Sequence, residues 1–139
     1  MEQLVALLDT SVADYNGVMF PQEVVATAVH DFNKRLQEQG TIPGEYGSPA
    51  NDPERSDCST ILFDKVSHVV QSLWLDGTIL KAKIRLIGRF AELANLVNTD
   101  FNGIPRIIGV VDDNSVCQTC YLVTVDIAPV ELQQQPQEI

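Results

Sequence analysis

The sequence has 139 residues, of which 45% are hydrophobic and 20% are charged, so its composition is that of a globular domain and not of a disordered chain. Its 9 Lys and Arg against 19 Asp and Glu give a net charge of −10 at pH 7, which disfavours binding to nucleic acid and to anionic lipid. No apolar stretch approaches the roughly 20 residues that a transmembrane helix needs. We therefore predict a protein that binds neither nucleic acid nor a membrane.

A chain of this length is typical of one domain, and we predict a single domain over residues 1–130. Residues 131–139 contain four glutamines and a proline, which predicts a polar C-terminal tail that is either disordered or laid on a surface. The N-terminus lacks the basic start of a signal peptide, and the chain has three cysteines. An odd number of cysteines without an export signal indicates reduced thiols in a cytosol.

The first third of the chain predicts a strand, a helix and a loop. Residues 3–12 begin with a short apolar run without capping residues, which favours a buried strand. A helix is expected between Pro21, which suits a first turn, and Gly40, which suits a helix end. Residues 41–57 contain three prolines and two glycines, so we expect a long loop. The apolar stripe of the helix consists of Val24, Val25, Ala28, Val29, Phe32 and Leu36.

The remainder predicts two hairpins that flank a second helix. Asp76-Gly77 is a strong hairpin signal, and residues 80–86 alternate between apolar and basic side chains. Residues 61–75 also fit a helical period, but the hairpin turn makes a strand the preferred interpretation. The other expected elements are a helix over 88–98, a turn at 102–103, and strands over 107–111 and 120–127 around the turn at 112–115. The fold class predicted is α+β, an antiparallel sheet or small barrel with two main helices.

Residues of types that bind metals or catalyse reactions are scattered. Cys117 and Cys120 form a lone CxxC, whose side chains would point to opposite faces of an extended strand and so could not chelate a metal together. We expect small buried thiols there. His30 lies on the polar face of the first helix, while His68 lies among valines and is expected to be a hydrogen-bonded histidine in the core or at a sheet edge. Asp112 and Asp113 are too few oxygen ligands for calcium. The sequence therefore predicts no metal and no cofactor.

Several short segments resemble motifs of the tailed-bacteriophage prohead (core) serine proteases, in the order of that family. They cover about residues 15–127. The resemblance implies a herpesvirus-protease-like β-barrel with flanking helices, and serine proteolysis during capsid maturation by a histidine base and a serine nucleophile. The segments are 16–21 for N-x-R-x-Y-P, 44–49 for G-E-L-x-H-P, 66–77 for S-H-V-I followed by W-W-x-G, 81–84 for the continuing hairpin, and 93–97 for the next helix.

The sequence departs from this family where the resemblance places the chemistry. Ser48 occupies the position of the histidine, and residues 103–111, at the position of the G-V-S-S-R-G nucleophile segment, contain no serine. A seryl hydroxyl cannot act as a general base near neutral pH. Ser67 and His68 are neighbours in a predicted strand, so we expect their side chains on opposite faces, and Ser115 has no evident histidine partner. We therefore predict a catalytically degenerate member without catalytic residues, not an enzyme.

The function that follows from the resemblance is that of a virion protein. We expect a capsid decoration or cement protein that binds the major capsid protein on the outer surface of the shell, and that self-associates in some form. During assembly it would be in the host cytoplasm. The alternatives are a divergent, active maturation serine protease and an internal core or scaffold component. Ser48, Ser67 or Ser115 within about 3 Å of His30 or His68 would favour the protease.

Overall fold

The computed structural model describes residues 2–14, 16–47, 58–97 and 101–129. A 3-10 turn at Phe63–Lys65 precedes the third strand. Among the described residues, no helix is both long and apolar enough to span a membrane. The elements in chain order are β1 Glu2–Asp9, α1 Gln22–Gln39, β2 Ile42–Glu45, β3 Val66–Asp76, β4 Ile79–Leu86, α2 Gly88–Val97, β5 Phe101–Val111 and β6 Cys117–Pro129.

The strands form two antiparallel sheets. One has four strands in the order β1-β4-β3-β2, and the other is the long β5–β6 ribbon. The sheets pack through β1 against β5 and β2 against β6, and an isolated bridge between Tyr46 and Ile127 joins them. The predicted antiparallel α+β class with two helices is therefore confirmed, whereas the described strands form no closed barrel.

The helix α1 covers the interface of the two sheets. It starts after Pro21 and ends at Gly40, whose φ of 84° suits glycine and whose N–H donates to the Leu36 carbonyl. The helix packs on β3 and β6. Its extent agrees with the sequence pattern, and the buried residues of the predicted stripe are Val25, Ala28, Phe32 and Leu36.

The hairpin and the second helix also agree with the sequence. The strands β3 and β4 pair up to Asp76 opposite Ile79, and Gly77 in the turn has a φ of 63°. Residues 66–75 are strand, as preferred over a helix. The first predicted strand is confirmed as far as Asp9, but the expectation that it is buried is wrong, because β1 is an edge strand in which Val5 alone is buried. The side chains of β4 that face the core are Leu80, Ala82, Ile84 and Leu86, in the predicted alternation.

Two expectations about loops and turns are wrong. The loop over 41–57 contains β2, an edge strand in which Pro43 hid the pattern. The turn at 102–103 lies inside β5, where a side chain at Gly103 would collide with Leu7 and Val5 of β1. Gly103 thus marks a close approach of two strands and not a turn. Residues 48–57 and the tail at 131–139 lie outside the described residues, so the domain boundary at 130 stays a prediction.

We expect Phe32→Ala to destabilise the protein by about 3–5 kcal/mol, because the ring is 1% exposed at the centre of the core and its removal leaves a cavity. Urea unfolding monitored by circular dichroism measures this change. The matched control is Gln37→Ala on the exposed face of the same helix, for which the expected change is within about 0.5 kcal/mol. Equal effects of the two substitutions would contradict the packing described for α1.

Candidate functional site

Five polar residues from four strands meet in the interior, and we call them the buried polar cluster: Glu45, Ser67, His68, Arg106 and Asp126. Each is at most 5% exposed. The pairing of β2 with β3 sets Gly44 opposite His68, and β5 and β6 contribute Arg106 and Asp126. Two segments that resemble protease motifs, 44–49 and 66–77, therefore contribute to the cluster. So does the segment 103–111, which occupies the position of the nucleophile motif.

Arg106 forms the ionic half of the cluster. Its Nε and Nη2 donate to the two carboxylate oxygens of Asp126 at 2.9 and 2.8 Å, and Nη2 lies 3.1 Å from Oε2 of Glu45. Its Nη1 donates to the Thr60 carbonyl at 2.7 Å. The two carboxylates are themselves linked, because the Glu45 N–H donates to Oδ1 of Asp126 at 2.9 Å. One cation therefore holds two buried carboxylates, with charge-assisted bonds from a planar fork.

Burial and the ion pairs act in opposite directions on the charged groups of this ionic half. Burial raises the pKa of the Asp126 carboxyl, although the bonds from Arg106 and from the Glu45 N–H partly oppose the change. Burial disfavours the charge on Arg106, but Asp126 and Glu45 outweigh it and raise the pKa of the guanidinium. The arginine is accordingly always charged, and its removal would leave two carboxylates unpaired in the interior.

Ser67 and His68 form the neutral half of the cluster. The Ser67 Oγ lies 2.7 Å from His68 Nδ1, and His68 Nε2 lies 2.6 Å from the Val125 carbonyl oxygen. A carbonyl oxygen only accepts, so Nε2 carries the proton and Nδ1 accepts from the Ser67 hydroxyl. Burial lowers the pKa of His68 to about 4, with the Val125 carbonyl acting in the opposite direction. As strand neighbours the two side chains were not expected to meet, and this expectation is wrong, because the Ser67 hydroxyl reaches the His68 ring and both side chains are buried.

This hydrogen bond has the donor and acceptor arrangement of a serine nucleophile and its base. Both side chains are 0% exposed, so the hydroxyl is closed to solvent in this conformation. Gly44 lies directly against the histidine, and a side chain there would collide with the His68 ring and the Val125 carbonyl. The prediction of a hydrogen-bonded core histidine is confirmed.

The other candidates lie apart from the cluster. His30 is exposed on α1, as expected. Ser115, with a φ of 63°, ends the turn in which Oδ1 of Asp112 accepts the N–H groups of Asn114 and Val116. Ser48 lies outside the described residues. Within the ranges that the structure describes, no three His, Cys, Asp or Glu side chains are grouped to hold a metal.

The two cysteines of the CxxC are closer than predicted. The register of β5 and β6 shifts between Val110 and Val111, and this bulge places Cys117 and Cys120 beside Gly109 on one face. The Cys117 thiol donates to the Thr119 carbonyl at 3.2 Å. Burial raises the pKa of both thiols, that of Cys120 to about 11 with a further contribution from Cys117, so both are protonated near neutral pH. Cys117 is buried, as expected, while Cys58 and Cys120 are half-buried.

A cleft of about 480 Å³ runs along residues 104–107, within the stretch where the resemblance places the nucleophile. It is bounded by β1, residues 14–20 and β5, and Cys58 and Cys117 contribute to its wall. None of the described residues that line it is a serine or histidine. The buried Ser67 and His68 therefore do not open into this cleft.

Sequence reasoning missed Glu45, Arg106 and Asp126 as a group. The available signal was a charge inside an apolar strand: Arg106 stands between a proline and two isoleucines, and Asp126 lies in an otherwise apolar run. A charge at such a position is buried and needs a partner. The sequence alone does not show that Arg106 and Asp126 meet Glu45, because the strand that carries Glu45 was not predicted.

The fold is similar to that of a solved structure, the capsid assembly protease gp21 of bacteriophage T4. The similarity has a TM-score of 0.68 at 17% sequence identity, and it covers 91% of this chain and 80% of that chain. No protein-family model and no curated protein matches the sequence. The expected prohead-protease-like fold is thereby confirmed. The prediction that the chain is not an enzyme is contradicted, because the solved structure that shares its fold is a protease.

The low pKa of His68 makes the stability of the protein depend on pH. In the folded state the pKa of His68 is about 4, whereas that of an ordinary histidine is 6.5. Between pH 4 and pH 6.5 the unfolded chain therefore binds more protons than the folded chain. About 3 kcal/mol of stability is therefore present above pH 6.5 and lost as the pH falls towards 4. The raised pKa of Asp126 acts in the opposite sense, since its folded form favours the proton.

We expect His68→Gln to lower the free energy of unfolding at neutral pH and to make it fall less steeply with acidification than in the wild type. The measurement is urea unfolding at a series of pH values from about 7 to about 4. His30→Gln is the matched control, because it removes the only other histidine from an exposed site. A wild-type slope retained in His68→Gln would contradict the buried neutral state of this histidine.

Proposed function

We propose that the chain acts in the assembly of a tailed-phage capsid and does so by binding the major capsid protein. The observation that carries this proposal is the fold shared with a capsid assembly protease over 91% of the chain. The ordered motif segments support it independently, since two of them, 44–49 and 66–77, contribute to one buried cluster. The fold and the sequence motifs therefore indicate the same class of assembly protein.

In the more specific form of the proposal, the chain stays on the mature shell as a decoration protein on its outer surface. The net charge of −10 supports the outside, because the packaged nucleic acid would repel an acidic protein in the lumen. A decoration protein must also be stable by itself, and the two packed sheets with their buried helix face provide a core for this.

We expect mass spectrometry of purified particles to find this chain in both proheads and mature virions. Mild surface digestion or surface biotinylation of intact virions should modify it, since the proposal places it outside. Major capsid protein in the same particles serves as the internal control for exposure. Presence in proheads alone would instead indicate an internal core component or a protease that leaves, and absence from both would refute the capsid role.

A second candidate function is proteolysis of a capsid or scaffold chain, which the hydrogen bond of Ser67 to His68 favours. In this reaction Ser67 Oγ would attack the scissile carbonyl carbon while its proton passes to Nδ1 of His68. The Val125 carbonyl fixes the tautomer that leaves Nδ1 free to accept. A histidine with a pKa of about 4 is a weak base, so the reaction would be slow, and the strands over the hydroxyl would have to part for a substrate to enter.

We expect Ser67→Ala to abolish any cleavage that the wild-type chain produces when it is co-expressed with capsid and scaffold proteins. Ser72→Ala is the matched control, because it removes a hydroxyl from the same strand without touching the histidine. Unfolding curves of both variants are needed, since an unsatisfied Nδ1 costs about 1–3 kcal/mol. Cleavage that persists in a folded Ser67→Ala variant, or no cleavage by the wild type, would exclude this dyad as a protease.

A further inference from the structure

A groove of about 550 Å³ lies between the start of α2 and the strands β2 and β3, and we call it the α2 groove. Phe63, on the 3-10 turn, contributes to its wall with 92% of the residue exposed, more than any other large hydrophobic residue that the structure describes. An almost fully exposed ring beside an apolar groove marks a surface suited to being covered. The other apolar residues of the wall are Pro43, Val66, Val69, Ile87 and Phe90.

The course of the chain brings the C-terminal segment to this groove. The strand β6 ends at Pro129, opposite Phe101 in the ladder with β5. The centre of the Phe101 ring lies 6.4 Å from that of Tyr46, and the Tyr46 ring stacks on Phe90 with 5.3 Å between the ring centres. Phe90 belongs to the groove wall. Two aromatic side chains therefore connect the end of β6 to the groove.

We propose that the chain's own C-terminal segment, residues 130–139, lies in the α2 groove with Leu132 against Phe90. The sequence allows this tail to be disordered or laid on a surface, and the apolar groove beside its starting point favours the second. The inference concerns the chain by itself and does not rest on the proposed capsid role.

The sequence of the segment suits the groove. In an extended chain Val130 and Leu132 fall on one face and Glu131 on the other, so that two apolar side chains can turn to the wall while the acid stays in water. An extended residue spans about 3.3 Å, which places Leu132 about 10 Å beyond Pro129. The apolar pair thus reaches the end of the groove at which Phe90 lies.

Covalent attachment favours this occupant over a free chain. A segment that starts beside its site acts at an effective concentration of about millimolar, so a separate partner has to reach a similar concentration to compete with equal contacts. Charge is compatible as well, because the charged residues of the described wall are one acid, Asp64, and one base, Arg89. In a chain of net charge −10, such a wall repels an acidic segment less than the average surface does.

The experiment is NMR spectroscopy of the full chain, with Leu132→Asp as the test variant. In the wild type we expect nuclear Overhauser contacts between the Leu132 methyl groups and the Phe90 ring. We also expect amide hydrogen exchange in residues 130–135 to be slower by about tenfold or more than in a free peptide of that sequence. Leu132→Asp should restore the exchange rate of the free peptide, because a carboxylate is unfavourable against an apolar wall. Gln133→Asp is the matched control, since it adds the same charge to the opposite face of the extended segment and should keep the protection.

Phe63→Ser tests the groove from the other side. The exposed ring contributes little to the core, so the variant should fold as the wild type does and exchange faster in residues 130–135. Leu4→Ser, on β1, removes another exposed apolar side chain and should leave this exchange unchanged.

Exchange at the free-peptide rate in the wild type would overturn the proposal, as would equal protection in the wild type and Leu132→Asp. Protection that disappears on dilution would assign the groove to the segment of a second copy, and protection that appears only with added capsid shells would assign it to a capsid partner. Either outcome would refute docking within one chain. The proposed capsid role is judged separately by the composition of the particles, so the two can fail independently.

Discussion

The bidentate bond of Arg106 to Asp126, with Glu45 as the second carboxylate, is the interaction on which the arrangement of the two sheets depends. It ties β5 to β6 within the ribbon and ties the ribbon to β2 of the other sheet. Buried ion pairs add little net stability compared with apolar packing, but breaking one by removal of a partner costs about 3–5 kcal/mol. Its contribution here is to specificity, because a one-residue slip of β5 would turn Arg106 outward and leave both acids buried alone.

The same two strands hold both halves of the buried polar cluster through consecutive residues. On β2, Gly44 makes room for the His68 ring and Glu45 binds Arg106; on β6, Val125 accepts from His68 and Asp126 binds Arg106. A displacement of either strand that breaks the ion pairs therefore also moves the partner of the histidine. The cluster behaves as one unit although no hydrogen bond joins its ionic and neutral halves directly among those described.

Short-range sequence patterns correctly predicted the helices and the hairpin that depend on residues close together in the chain. The stripe and ends of α1, the Asp76-Gly77 hairpin and α2 follow from periodicity and turn chemistry. The errors arose where long-range contacts decide: β2 is strand because β3 lies beside it, and Gly103 is strand because β1 passes close to it. The pairing of Ser67 with His68 and the bulge that unites Cys117 and Cys120 depend on coverage and register, which alternation rules ignore. The charges of Arg106 and Asp126 within apolar strands were the feature of the sequence that indicated the buried polar cluster.

Two residues of the segment that resembles a prohead-protease motif have packing roles in this fold. Gly44 is required by the His68 ring, and Glu45 is required by Arg106, so both preserve the fold whatever the chemistry. Access to the Ser67 hydroxyl then becomes the physical condition for catalysis. The short edge strand β2 lies over the histidine and is held by the Glu45 bonds and by the bond from the Thr124 hydroxyl to the Pro43 carbonyl. The ion pairs that fix the two sheets thus also determine whether the serine and histidine can be reached.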